Sequence, residues 1–91
     1  MNAQAQVGGW TELHALDSSE QEVFNQVTSQ LIGAKYEALE VRSQVVNGIK
    51  YQFVADQTIP GYEGSKRVAV EVYAPAGGTP SIISITTLLL G

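Results

Sequence analysis

The sequence predicts an α+β domain in which one α-helix packs on a four-stranded antiparallel β-sheet meander, and three observations carry that prediction. Between Asp17 and Gly33 the large apolar residues recur at helical spacing. From Tyr36 onward the period falls to two, and β-branched and aromatic residues take over. An Asn-Gly dipeptide and two Gly/Pro-rich breaks then divide the remainder into four strands. One amphipathic helix needs one apolar sheet face, so the two together make a complete core.

The elements follow in order. Residues 1–9 are polar or small apart from Met1 and Val7, and read as a flexible N-terminal arm; residues 10–91 read as a single domain. Asp17-Ser18-Ser19-Glu20-Gln21-Glu22 is dense helix-start chemistry, with capping-box spacings from Ser18 to Gln21 and from Ser19 to Glu22. Val23, Val27 and Leu31 recur every fourth residue with Phe24 and Ile32 beside them, and Gly33 is the expected stop.

In the first strand Leu39, Val41 and Val45 share one face and Glu40, Arg42 and Gln44 the other; in the second, Ile49, Tyr51, Phe53 and Ala55 share a face. Parity selects the turn between them. A two-residue loop sets Tyr51 opposite Gln44 and mixes the faces, whereas a three-residue loop, Val46-Asn47-Gly48, pairs Val45 with Ile49, Ser43 with Tyr51, Val41 with Phe53 and Leu39 with Ala55. Gly48 then takes the left-handed position of a bulged turn. The consequence is a β-branched hydrophobe, Val46, at a hairpin tip. After the turn-rich residues 58–64, Val68, Val70 and Val72 line a third strand. The break at residues 75–80 leads into a fourth, running toward Leu89, with Val72 opposite Ile83 and Val70 opposite Ile85.

Composition excludes several function classes. With 44% hydrophobic and 15% charged residues the chain is globular. It has no cysteine, hence no disulfide, thiolate metal site or thiol nucleophile, and a staple-free domain of this size suits a reducing, cytoplasmic setting. The first ten residues lack the basic and apolar regions of a signal peptide, although a removed leader stays compatible with the sequence. No run of about 18 apolar residues suggests a membrane helix. A net charge of −4 with five basic residues, scattered apart from Lys66-Arg67, argues against nucleic-acid binding.

The catalytic inventory is thin. His14 is the sole histidine, no pair of acids stands out, and neither Gly8-Gly9 nor Gly77-Gly78 has the Lys and strand-to-helix context of a phosphate loop. His14 reads chiefly as a surface or strand-edge residue, with a ligand or proton-transfer role as the lesser alternative. The expectation is therefore no enzyme, no metal and no cofactor, with function carried by binding surfaces.

The segment Gln44-Val45-Val46-Asn47-Gly48 matches the Gln-x-Val-x-Gly hairpin of cystatins and falls in the turn that parity selects. Gly8-Gly9 ahead of the helix matches the glycine of that family's N-terminal trunk, and residues 75–80 stand where its second hairpin loop stands. In length, element order and missing cysteines the chain resembles the stefin type. The resemblance implies a cystatin-like fold with a short additional N-terminal strand, and reversible, competitive inhibition of papain-like cysteine proteases. It also implies an active monomer, with a domain-swapped dimer as its alternative state. The arm, the first hairpin and the second loop form the implied wedge. Val7, Gly8 and Gly9 come from the arm, Gln44, Val45, Val46, Asn47 and Gly48 from the hairpin, and Pro75, Ala76, Gly77, Gly78, Thr79 and Pro80 from the loop. By this likeness Gly8 lies near the catalytic cysteine and Val7 in the adjoining apolar subsite. The second loop departs from many secreted relatives in lacking their Trp. A cystatin-like module serving only as an interaction scaffold is the first competing reading, and a small enzyme or ligand carrier with a pocket between helix and sheet, which the thin acid–base inventory disfavours, is the second.

Overall fold

A computed structural model describes residues 9–88 of the chain. The helix α1 spans Ser18–Thr28, and its cap is Asp17 rather than Ser18 or Ser19. The Asp17 carboxylate accepts from the Glu20 N–H at 2.8 Å, and the Glu20 carboxylate accepts from the Asp17 N–H at 3.0 Å. A charged oxygen outcompetes a serine hydroxyl at the positive end of a helix. Capping at Asp17 also puts Glu20, Phe24 and Val27 on one buried face.

The helix ends earlier than its apolar stripe. Ser29 Oγ donates to the Gln26 carbonyl at 2.8 Å and the Leu31 N–H to the Thr28 carbonyl at 3.0 Å, so carbonyls that another turn of helix would have used are satisfied without it, while Thr28 Oγ1 bonds back to the Phe24 carbonyl. Leu31 and Ile32 fall outside, with Ile32 98% exposed, so Ile32 contributes nothing to the core. Gly33, at φ +96°, turns the chain toward the sheet instead of closing the helix.

Four strands follow: β1 (Lys35–Val46), β2 (Gly48–Thr58), β3 (Lys66–Ala74) and β4 (Ser81–Thr87), joined in the order β1-β2-β3-β4 with every neighbour antiparallel. Val45 pairs with Ile49, Ser43 with Tyr51 and Val41 with Phe53, the register that parity requires. Two expected pairings are replaced. A register shift between Ala38 and Glu40 makes Leu39 the extra residue, so Ala38 pairs with Ala55 and packs on the core. A second shift pairs Val72 with Ile82, leaving Ile83 52% exposed, while Val70 still faces Ile85. Each bulge lets an edge strand bend while restoring its inward parity. Leu89 lies outside the described residues.

The core is one layer deep. Phe24 and Val27 of α1 close over Val41, Tyr51, Phe53, Ala55, Val68, Val70 and Val72. The Phe24 and Phe53 rings are 5.0 Å apart and tilted by 59°, a favourable edge-on contact. The other sheet face is polar, with Arg67 paired to Asp56 at 2.6 Å and Lys50 to Glu71 at 3.7 Å. Ahead of the helix the chain runs beside β1. It meets that strand in two single antiparallel bridges, Trp10 with Gln44 and His14 with Val41.

Candidate functional site: one end of the sheet

The pairing of Ile49 with Ala74 puts the β1–β2 turn and the β3–β4 loop at the same end of the sheet, with the β2–β3 loop at the other. The first turn is narrow. Val46 pairs with Gly48 across Asn47, and Val46 is 38% exposed, outside the core. Gly48 has φ +111°, a conformation L side chains rarely adopt. A β-carbon on Gly48 would stand 2.5 Å from the Ala74 carbonyl oxygen and 2.8 Å from the Pro75 α-carbon. Glycine is therefore required twice here, by the turn and by the backbone of the second loop pressed against it.

A hydrogen bond locks the same contact. The Tyr73 hydroxyl, at the end of β3, donates to the Asn47 backbone carbonyl. Within the second loop the Gly78 N–H donates to the Pro75 carbonyl at 3.0 Å, closing a turn whose third residue, Gly77, has φ +73°. That positive φ is the requirement of a type II turn. Gly78 lies under the Pro75 ring, where a β-carbon would stand 2.8 Å from Cγ. Ala76, Gly77, Gly78 and Thr79 are exposed, while Pro80 is half-buried and lines a shallow cavity with Val27, Leu31 and Ile82.

The chain before the helix enters at this end too. Trp10 bridges to Gln44, two residues from Val46, and the Thr11 N–H donates to the Ser43 carbonyl at 2.8 Å while Thr11 Oγ1 accepts from the Ser43 N–H at 3.0 Å. The Arg42 guanidinium sits 4.9 Å from the centre of the Trp10 ring, a cation–π contact that fixes the indole on β1. Gly9, directly before Trp10, is therefore held beside the first hairpin. Val7 and Gly8 lie outside the described residues.

Thus Gly9, Gln44 to Gly48 and Pro75 to Pro80 share one end of the molecule. From Ser43 to Ile49 and from Val72 to Pro80 there is no charged residue, so the two loops carry no ion of their own; the neighbouring charges are Lys50, between Gln44 and Tyr73, and Arg42 on Trp10. Trp10, Thr11, Arg42, Ser43 and Tyr73 are the positioning residues that sequence reasoning missed. Only Trp10 carried a legible signal, as the sole tryptophan placed directly after a Gly-Gly pair.

His14 has a different task. Its Nε2 lies 2.9 Å from the Glu20 carboxylate and its Nδ1 2.8 Å from the Glu12 carbonyl, so both ring nitrogens face acceptors. The Glu20 hydrogen bond, aided by the Glu12 carbonyl, raises its pKa above the ordinary 6.5. Glu20 is itself buried and held by the cap, so His14 ties the segment along β1 to the start of α1. Among the described residues no group of acids, histidines or cysteines is arranged to hold a metal ion, and no helix is long and apolar enough to cross a membrane.

No protein-family model, curated protein or solved structure matches this chain.

Proposed function

We propose that this protein is a reversible, competitive inhibitor of papain-like cysteine proteases that occludes the active-site cleft with its N-terminal arm, its first hairpin and its second hairpin loop. The observation that carries the reading is the pair of uncharged loops just described, the Gln-x-Val-x-Gly turn and the 75–80 loop, bound to each other through Gly48 and Tyr73. A cleft inhibitor benefits from such bracing, because loops ordered before contact lose less freedom on binding. The tip valine adds to this. Val46 is 38% exposed, so burying the remainder in a protease contributes about 0.5–1 kcal/mol. The glycines of the arm and loop let backbone approach backbone closely. Blocking of the cleft requires no bond to the protease thiol and no catalytic group in this chain.

Titration of papain with the purified protein tests the reading: stoichiometric loss of activity supports it. Unchanged activity at micromolar protein favours a second reading, a cystatin-like interaction module without inhibitory action, which the exposure of Val46 fits equally well.

A further inference from the structure

The two edges of the sheet are defended unequally. The β1 edge carries Lys35, Glu37, Glu40 and Arg42 and is partly covered by the bridges from Trp10 and His14. The β4 edge has neither device. No charged residue follows Glu71 in the sequence, although the chain carries fourteen, five basic and nine acidic, up to and including it. Natural edge strands normally place charges there to keep other strands away.

The ladder shows which backbone groups the β4 edge offers. The Leu88 N–H donates to the Arg67 carbonyl at 2.8 Å, so Leu88 turns its backbone toward β3. By antiparallel alternation Thr86 and Ser84 do the same, and the N–H and C=O groups of Ile85 and Thr87 point away from the sheet. Among the described residues nothing pairs with that side of β4. The bulge at Ile83 interrupts the first half of the strand, so the regular stretch available for pairing is residues 84–88.

We propose that this edge is a self-association surface, at which two copies of the chain pair β4 with β4 antiparallel about a two-fold axis at Thr86. That register sets Ile85 of each copy opposite Thr87 of the other, and the outward N–H and C=O groups of both residues are then all satisfied. It also preserves face parity, since Ile85 and Thr87 lie opposite Val70 and Val68 on the helix side of the sheet. A second copy is the favoured occupant because the register is self-complementary. It is also favoured because two chains of net charge −4 meet here without opposing like charges. The axis directs the two Val46 ends in opposite directions, so pairing leaves both open and the proposal stands independently of the inhibitor reading.

Sedimentation velocity and light scattering across a micromolar-to-millimolar series test it, with Thr86→Lys and Thr87→Pro as variants. Thr86 is exposed and its replacement opposes two ammonium groups at the axis; Thr87→Pro deletes an N–H that β3 does not use. The parent should pass reversibly from monomer to dimer with rising concentration. Each variant should weaken dimerisation about tenfold or more while keeping the parent's circular dichroism, and salt should rescue Thr86→Lys but not Thr87→Pro. A parent that stays monomeric throughout the series overturns the proposal. So does a dimer that persists on dilution, or one that both folded variants form as readily as the parent. Should one variant fail to fold, the other and the parent series decide.

Discussion

The Tyr73 hydroxyl donates to the carbonyl of Asn47, so the strand leading into the second loop holds the tip of the first. The two residues are 26 positions apart and belong to hairpins that share only β2 and β3 as neighbours. With Gly48 seated against Ala74 and Pro75, this bond makes the two loops one surface.

Tyr73→Phe should therefore loosen the surface without unfolding the domain. The bond lies in an exposed setting where water can replace it, so the loss of stability should fall near the low end of about 0.5–1.5 kcal/mol. Dissociation from papain should accelerate, because the loops must then be ordered at the moment of binding. Equal dissociation rates for variant and parent would remove Tyr73 from the site.

Gly48→Ala and Gly77→Ala should differ although both positions have positive φ. At Gly77 the added methyl meets open space and the cost is confined to the backbone, about 1–2 kcal/mol. At Gly48 the same backbone cost is joined by a collision with the Ala74 carbonyl, which forces the loops apart. Denaturant unfolding should rank Gly48→Ala as clearly the less stable; equal midpoints contradict the contact.

Deleting residues 1–7 leaves the Trp10–Gln44 bridge, the helix cap and every strand in place, so stability should barely change. Dissociation from papain should nevertheless be faster, and Gly8→Glu should act by a second route, forcing a β-carbon and a charge into a cleft with little water. Parent-like dissociation of both variants would show that the arm takes no part.

The His14–Glu20 pair predicts a pH dependence whose sign follows from the raised pKa of His14. The folded state binds the proton more tightly than the unfolded chain, so the pair's stabilisation is fully present below 6.5 and is lost as pH rises through the raised folded value. The stability gap between the parent and His14→Gln should be larger at about pH 5.5–6 than at about pH 8.5. A gap that is constant or grows with pH refutes the ion pair.

Much of the fold was legible because side chains alternate strictly along a strand. Parity alone gave the pairings of Val45, Ser43 and Val41 across the first turn and the location of Val46 at its tip. The bulges were not legible. Ala38-Leu39 and Ile82-Ile83 are each adjacent apolar pairs, and either member can face inward until the curvature of the sheet chooses. Of the overlapping capping spacings, sequence reasoning picked out those from Ser18 and Ser19 and missed the one from Asp17, whose carboxylate is the stronger acceptor at the helix start and whose partner Glu20 also meets His14. The helix end was also hidden: the apolar stripe continues to Ile32, but the Ser29 hydroxyl takes the Gln26 carbonyl and the Leu31 N–H takes the Thr28 carbonyl.

By itself the sequence determined one helix on a four-stranded meander, the three-residue turn at Val46-Asn47-Gly48 and the lack of charge around it, because these depend on local periodicity and residue type. Tertiary structure alone decided that Tyr73 would reach Asn47, that Gly48 would lie under the second loop and that Arg42 would hold Trp10 beside Gln44. Those contacts join residues distant in sequence, and their geometry exists only once the strands have set their register and twist.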